Sequence, residues 1–263
     1  MSFRKSFLIV FSVLYLLPNL CFAAVVASYD FTGNANDGSG NGLHGTVTGA
    51  TLIADRFGNL NSAYNFDNID DLIVVQNSGG LLSLSGPFSL SAWARPSNPS
   101  LDGRNNPIIW KLAGPGDPDN YALSWGANNR FGVGLEDSAT GQDYGVSSDT
   151  KIHGAWYHVA SVYDRQSLKI YVNGVLEGVA SVLNITPYMG GAPLRIGNIR
   201  GSTHANAGVF DGAIDDIRIY NHALNQSDID SLYGTPNAVP EPSSMLIGML
   251  LGLGGLLRKR KKK

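Results

Sequence analysis

The stretch from Ala155 to Gly174, AWYHVASVYDRQSLKIYVNG, constrains the fold of this chain more than any other. Two runs of β-branched and aromatic residues, Trp156 to Tyr163 and Leu168 to Val172, flank the polar turn Asp164-Arg165-Gln166-Ser167. The second run meets Asn173-Gly174 and continues as Val175-Leu176-Glu177-Gly178-Val179. Asn-Gly between alternating apolar segments signals a hairpin, because a type I′ turn needs φ > 0 at both central residues. Three antiparallel strands therefore follow one another. In the first, His158, Ala160 and Val162 share the face of Trp156, while Val159 and Tyr163 point the other way. Neither face is wholly polar, which predicts a strand covered on both sides in the middle of a layered sheet.

The same signature recurs along the chain. Short strands are expected over Val25 to Phe31, Leu43 to Val47, Ala63 to Asp67, Leu72 to Val75 and Pro87 to Arg95. Others are expected over Pro107 to Leu112, Tyr121 to Trp125, Arg130 to Glu136, Leu194 to Asn198 and Val209 to Tyr220. In the Pro87 to Arg95 segment Phe88, Leu90, Ala92 and Ala94 fall on one face. The one helical turn starts at Asn225 and stops at Gly234, with Asp228 near its positive end. Many short strands and almost no helix specify an all-β sandwich or jelly roll. With 32 glycines, 10% aromatic and 15% charged residues, the composition suits many turns and excludes disorder. The single cysteine, Cys21, permits no internal disulfide.

The two ends read as addresses. Residues 1–23 have a basic start (Arg4, Lys5), an apolar run from Phe7 to Leu17 and the exit Cys21-Phe22-Ala23, the layout of a secretory signal peptide. The C-terminal segment 236–263 holds Pro240-Glu241-Pro242, an apolar run from Met245 to Leu257, and Arg258 to Lys263. The triplet, brief helix and basic cluster resemble the PEP-CTERM sorting signal of Gram-negative bacteria. The resemblance implies recognition by an exosortase-type sorting protease, cleavage near the triplet, transient inner-membrane anchoring and delivery to the cell surface or beyond. It also implies the company of exported polysaccharide and biofilm matrix. A plain membrane anchor is the alternative at each end, although the C-terminal run is short for a spanning helix. Setting aside the eight basic residues at the two ends leaves a surplus of ten acidic groups in the rest of the chain, Glu241 included. An acidic body is a poor nucleic-acid binder.

Between the ends, SYDFTGNANDGSGNGLHGTV, FSLSAWARP, WYHVASVYD, LKIYVNG and FDGAIDDIRIYNHAL resemble, in that order, the laminin G-like branch of the concanavalin A-like jelly rolls. The resemblance runs from Val25 to Tyr233 and implies one domain over residues 24–235, a sandwich of two antiparallel sheets. It also implies a structural calcium ion linking the first loop to the Ile-Asp strand near the C-terminus. Carried over, the ligands would be Asp37 and Asp215, with Asn34 and Asn41; a hard cation suits such carboxylate and amide oxygens. The alternative is that Asp37 and Asn41 hold turns through their side chains and that Asp215 pairs with Arg218 or Arg195.

Catalysis finds no support in the sequence. Related jelly rolls include glucanases, whose carboxyl pair comes from two glutamates flanking an aspartate on one strand. Here the only glutamates are Glu136, Glu177 and Glu241, and no Glu-x-Asp-x-Glu spacing exists. The five histidines are scattered, with no Gly-x-Ser-x-Gly or His-Glu-x-x-His. His158 reads as a hydrogen-bonded interior residue. Trp93, Trp110, Trp125 and Trp156 read mainly as core, although aromatics of this kind can also stack sugars. Contacts with a ligand are expected from loops, notably 102–106, 115–121 and 200–206. The sequence thus points to an exported, non-catalytic binding module for polysaccharide or matrix material. A structural matrix protein without a specific ligand and an enzyme of unrecognised mechanism are the alternatives.

Overall fold

A computed structural model describes residues 25–97, 104–114, 118–126, 128–152, 154–183, 185–199 and 208–234. The segments read as signal peptide and sorting signal lie outside them. No helix among the described residues is long and apolar enough to cross a membrane. In chain order the strands are β1 (Val25–Tyr29), β2 (Gly45–Thr48), β3 (Thr51–Ile53), β4 (Ala63–Asp67) and β5 (Leu72–Val75). They continue with β6 (Phe88–Pro96), β7 (Asn106–Leu112), β8 (Asp119–Trp125), β9 (Phe131–Glu136) and β10 (Asp143–Ser147). The last are β11 (Tyr157–Tyr163), β12 (Ser167–Val172), β13 (Val175–Ser181), β14 (Leu194–Ile196) and β15 (Asp211–Tyr220), followed by helix α1 (Gln226–Gly234).

These strands form a jelly-roll sandwich of two antiparallel sheets. One sheet runs β13-β12-β11-β6-β15-β4-β3, with β1 also paired to β15; the other runs β10-β9-β8-β7-β14-β5-β2. The β11–β12–β13 meander forms where the sequence places it. Asn173 and Gly174 adopt φ of 50° and 82°, and Val172 pairs with Val175 across the turn. At the other turn the Asp164 carboxylate accepts the Gln166 and Ser167 amides at 2.9 and 2.7 Å and meets Lys169 Nζ at 2.7 Å.

Alternation along each strand divides two apolar layers. Val159 and Tyr163 of β11, and Phe88, Leu90, Ala92 and Ala94 of β6, face the core between the sheets. Ala160 and Val162 face outward, where they pack with Tyr171, Tyr220, Leu224 and Ile229 beneath α1. The two-sided burial expected of this strand therefore comes from the opposite sheet on one side and the helix on the other. Asn225 and Asp228 start the helix reciprocally: Asp228 N donates to Asn225 Oδ1 at 3.1 Å, and Asn225 N donates to Asp228 Oδ2 at 2.9 Å. Each satisfies an amide that the first turn leaves without a partner. At the edges of the two sheets, Glu177 of β13 accepts the Asp149 and Thr150 amides just after β10, at 3.0 and 2.9 Å.

Candidate functional site

The outer face of the seven-stranded sheet carries a groove of about 430 Å³, within the usual range for ligand sites. Its shape follows from the alternation of three strands. Tyr121, Leu123 and Trp125 of β8 and Phe131, Val133 and Leu135 of β9 point into the core. Tyr144 and Val146 of β10 pack against the same core. The intervening positions, Ala122, Ser124, Gly132, Gly134, Gly145 and Ser147, are left to face outward and line the groove. Register aligns them in rows: Ala122 beside Gly134 beside Gly145, and Ser124 beside Gly132 beside Ser147. The floor is therefore nearly bare backbone. Trp110 of β7 adjoins Ala122 and forms a wall, its indole Nε1–H donating to Asp119 Oδ1 at 2.6 Å. Asn105, Asp119 and Asp143 complete the rim.

Sterics do not impose glycine at Gly132 or Gly134 of this floor, whereas a Cβ at Gly145 would lie 3.3 Å from the Val133 carbonyl oxygen. A Cβ would lie 3.7 Å from its nearest neighbour at Gly132 and 3.5 Å at Gly134, and neither residue has a positive φ. Elsewhere glycine is obligatory: a Cβ on Gly197 would meet the Phe66 ring at 2.1 Å, and one on Gly212 the Arg95 carbonyl at 2.2 Å. A strand glycine costs about 0.5–1 kcal/mol relative to alanine, and close approach of a ligand to the backbone is one of the roles, beside bulges and bends, that such a glycine serves.

The residues expected to hold calcium each engage partners within the protein. The Asp37 carboxylate accepts Ser28 N (3.0 Å), Ser39 N (2.9 Å), Ser39 Oγ (2.8 Å) and Leu43 N (3.1 Å). Burial alone would raise its pKa, but the donors of Ser39, Ser28 and Leu43 outweigh burial and hold it below the ordinary value. Asn34 Oδ1 accepts the Asn36 amide, and Asn41 Nδ2 donates to the Val26 carbonyl. These are the turn-holding roles of the alternative reading. Asp215 has different partners, on the outer face of the eight-stranded sheet.

There β15 bulges between Asp215 and Arg218, with Asp216 at φ 47°, so two consecutive carboxylates reach the same cation. Arg56 Nη1 lies 3.1 Å from Asp215 Oδ2 and 2.6 Å from Asp216 Oδ2. Arg218 Nη2 in turn lies 3.4 Å from Asp216 and 2.9 Å from Asp30 in the opening loop. Asp215 thus pairs with Arg56, neither with Arg218 nor with Arg195. The Ile-Asp strand is tied to the first loop here by the Arg218–Asp30 pair, and to the loop between β3 and β4 by Arg56. Oxygens committed to these donors do not fit a calcium shell at this place.

The carboxylates that do lie together are Asp67, Asp70 and Asp71, one oxygen of each falling within 4.8 Å of the others. Asp71 is buried, its Oδ2 accepting the Asp67 amide at 2.9 Å. Burial, with the neighbouring charges of Asp67 and Asp70, raises its pKa.

His158 is interior, as expected, but its ring nitrogens find no hydrogen-bond partner among the described residues. The ring packs on Trp93 at 5.5 Å and Tyr233 at 6.2 Å. Burial, assisted by Arg56, brings its pKa down to about 3. Of the four tryptophans only Trp125 joins the core between the sheets. Trp93 lies beneath Arg56 and Tyr233, Trp156 meets Arg95 at 5.2 Å, and Trp110 lines the groove. The loops expected to make contacts reach the groove through Asn105 and Asp119, while much of the rest of them lies outside the described residues.

An Asp37→Ala variant is expected to lose about 2–3 kcal/mol by stranding three backbone amides. The folded pKa of Asp37 lies below the unfolded value, so its contribution is present above pH ~4 and is lost as pH falls through the folded value. Urea midpoints measured from neutral pH downward check this: the gap between wild type and variant should narrow with acid. A gap that does not change with pH would assign the loss to something other than the carboxylate.

Comparison with known proteins agrees with this architecture. The family model described as the concanavalin A-like lectin/glucanases superfamily matches residues 67–230, and the PEP-CTERM protein-sorting motif matches residues 238–261. No curated protein matches the chain. Among solved structures, the binding domain of paraclostridial mosquitocidal protein 1 is similar at TM-score 0.64 and 19% identity, over 80% of this chain and 52% of that one. The botulinum neurotoxin serotype G binding domain is similar at TM-score 0.63 and 20% identity, over 80% and 50%. The serotype D ligand binding domain, in complex with N-acetylneuraminic acid, is similar at 0.62 and 18%, again over 80% and 50%. The chain spans about half the length of these structures, and at such identities the likeness shows the fold.

Proposed function

The chain belongs to the concanavalin A-like lectin/glucanases superfamily, and from that premise we propose that it is an exported, non-catalytic module that recognises extracellular polysaccharide through the groove on its seven-stranded sheet. The observation that carries this reading is the bare floor, where Gly132 and Gly134 occupy positions that packing leaves free for larger side chains. A flat strip of backbone suits a sugar ring, which offers an apolar face and a rim of hydroxyls; the Trp110 indole borders it, 4% exposed and packed with Leu112, Ala122 and Ile199. The serotype D ligand binding domain, half of which the match covers, was solved in complex with N-acetylneuraminic acid, which lends support to a binding role. Hydrolysis would need two carboxyls astride the scissile bond; here Asp119 engages the Trp110 indole, and Asp143 and Glu136 are direct cross-strand neighbours at the same end of the groove. The motif at residues 238–261 supports processing near Pro240-Glu241-Pro242 by an exosortase-type protease, after transient anchoring in the inner membrane of a Gram-negative bacterium. Delivery to the cell surface or the matrix follows.

A structural calcium ion belongs to the same reading, held by Asp67, Asp70 and Asp71 rather than by the four residues the sequence suggested. Three carboxylates supply hard oxygen donors, and water can complete the six to eight that calcium takes. Calcium at 100 times its dissociation constant adds about 2.7 kcal/mol, or about 5–10 °C for a domain of this size. A chelator should therefore lower the melting temperature by that amount in the wild type and leave Asp70→Asn unmoved. Equal melting with and without chelator would remove the metal from the account.

An array of defined glycans probed with the purified protein tests the function. Binding to a defined class supports recognition, and a blank array overturns it. One feature favours the structural alternative: the side chains of Val175 and Val179 on β13 are exposed at 63% and 55%, an apolar surface that suits contact with a second copy. A blank array together with concentration-dependent association would establish that reading instead.

A further inference from the structure

We infer that the groove selects among polysaccharides by charge, preferring sugars that carry a protonated amine and turning away chains that carry uronate, sulfate or phosphate. This rests on the reading of the groove as a polysaccharide site and adds the class of chain it takes.

The two ends of the groove differ chemically. Ser124, Ser147 and Asn105 at one end offer hydroxyl and amide groups to neutral sugar hydroxyls. At the other end are Asp119 and Asp143, and among the described residues the lining holds no lysine or arginine. Asp119 is nine-tenths buried and held in place by the Trp110 indole. Its amide donates to Glu136 Oε2 at 3.2 Å, which draws a third carboxylate to this end. Glu136 is also the direct cross-strand partner of Asp143.

Like charges placed opposite one another on antiparallel strands oppose folding. The Asp143 carboxylate has no hydrogen-bond or ion-pair partner of its own among the described residues. It therefore adds repulsion to the strand pair and gains nothing from it, while its carboxylate stands free at the rim. An anionic chain laid on the floor would bring its charges against these carboxylates in a partly desolvated trough, and such juxtaposition discriminates strongly between partners. An ammonium group at the same point would relieve the repulsion and receive charge-assisted hydrogen bonds.

The test compares three oligosaccharides of equal length, a chitosan oligomer, its fully N-acetylated counterpart and an alginate oligomer, by calorimetry near pH 6 at low and at high salt. The chitosan oligomer is expected to bind about tenfold tighter than its acetylated counterpart, a difference of ~1.4 kcal/mol, at low salt. The gap should shrink at high salt through screening, and alginate should not bind. In Asp143→Asn the gap should fall several-fold, while the melting temperature holds or rises. Alginate binding as tightly as chitosan, or an unchanged preference in Asp143→Asn, would overturn the charge selection while leaving polysaccharide recognition standing. Binding of none of the three, with a blank glycan array, would overturn both. A calcium-dependent rise in alginate binding would also defeat the proposal, since the carboxylates would then be bridged by metal.

Discussion

Arg56→Met is expected to destabilise the fold by about 3–5 kcal/mol and to lower the melting temperature by roughly 6–20 °C at ~2–4 °C per kcal/mol. The Arg56 guanidinium is the cation shared by Asp215 and Asp216, and the three side chains are 7%, 3% and 10% exposed. It also lies 4.3 Å above the Trp93 ring. Without it, two adjacent carboxylates stay in a poorly solvated layer with Arg218 as the remaining cation, paired to Asp216 and Asp30. The pH profile gives a second readout. Burial, with the charge of Asp216, raises the Asp215 pKa even though Arg56 acts against the rise. A folded pKa above the unfolded one contributes stability that is complete below pH ~4 and is lost as pH rises through the folded value. The loss towards neutral pH should steepen in Arg56→Met and flatten in the Arg56→Met, Asp215→Asn double variant. Denaturant midpoints from pH 4 to 8 measure it. A loss under ~1 kcal/mol, typical of an exposed pair, would refute the buried network.

Gly134→Val should leave the fold as stable as the wild type, or slightly more so, and weaken glycan binding at least ~100-fold, ~2.7 kcal/mol. Valine suits a strand, and the 3.5 Å clearance to the Tyr144 carbonyl accepts a Cβ. The branched side chain would then stand on the row shared with Ala122 and Gly145, where the ligand is expected to lie. The neighbouring row offers an independent check through Gly132→Val. Normal melting with binding lost in both variants locates the site on the floor. Normal melting with binding intact would move the site elsewhere on the molecule.

Much of the fold is legible in the sequence because its signals are local. Asn173-Gly174 sets one turn, the alternation of Phe88, Leu90, Ala92 and Ala94 names a core face, and Asn225 with Asp228 starts the helix. Strands β3 and β10 are not visible in this way. The first is three residues long, and the second alternates glycine and polar residues against two half-buried ones. The ion network is illegible for a different reason: Arg56 and Asp215 are 159 residues apart, and the β15 bulge that turns both carboxylates to one side has no sequence marker. Asp37 shows the limit of residue type as evidence. An aspartate in a glycine-rich loop suits a cation or a set of amides equally, and only the positions of Ser28, Ser39 and Leu43 decide for amides. The groove is missed by a reading that looks to the end loops, although Gly132 and Gly134 recur at the period of a strand face. What the sequence lacks is the strand on either side that aligns them with Ala122, Ser124, Gly145 and Ser147.

Helix α1 closes over the eight-stranded sheet, its Tyr233 stacked on Trp93 at 5.9 Å, and Gly234 precedes Pro240 by five intervening residues. Five residues reach at most ~18 Å even when fully drawn out, so a tail gripped at the triplet holds the body by its back. The groove on the seven-stranded sheet looks the opposite way, with both layers of the sandwich between it and the point of attachment. A molecule tethered like this keeps its front open to the surroundings before release as well as after.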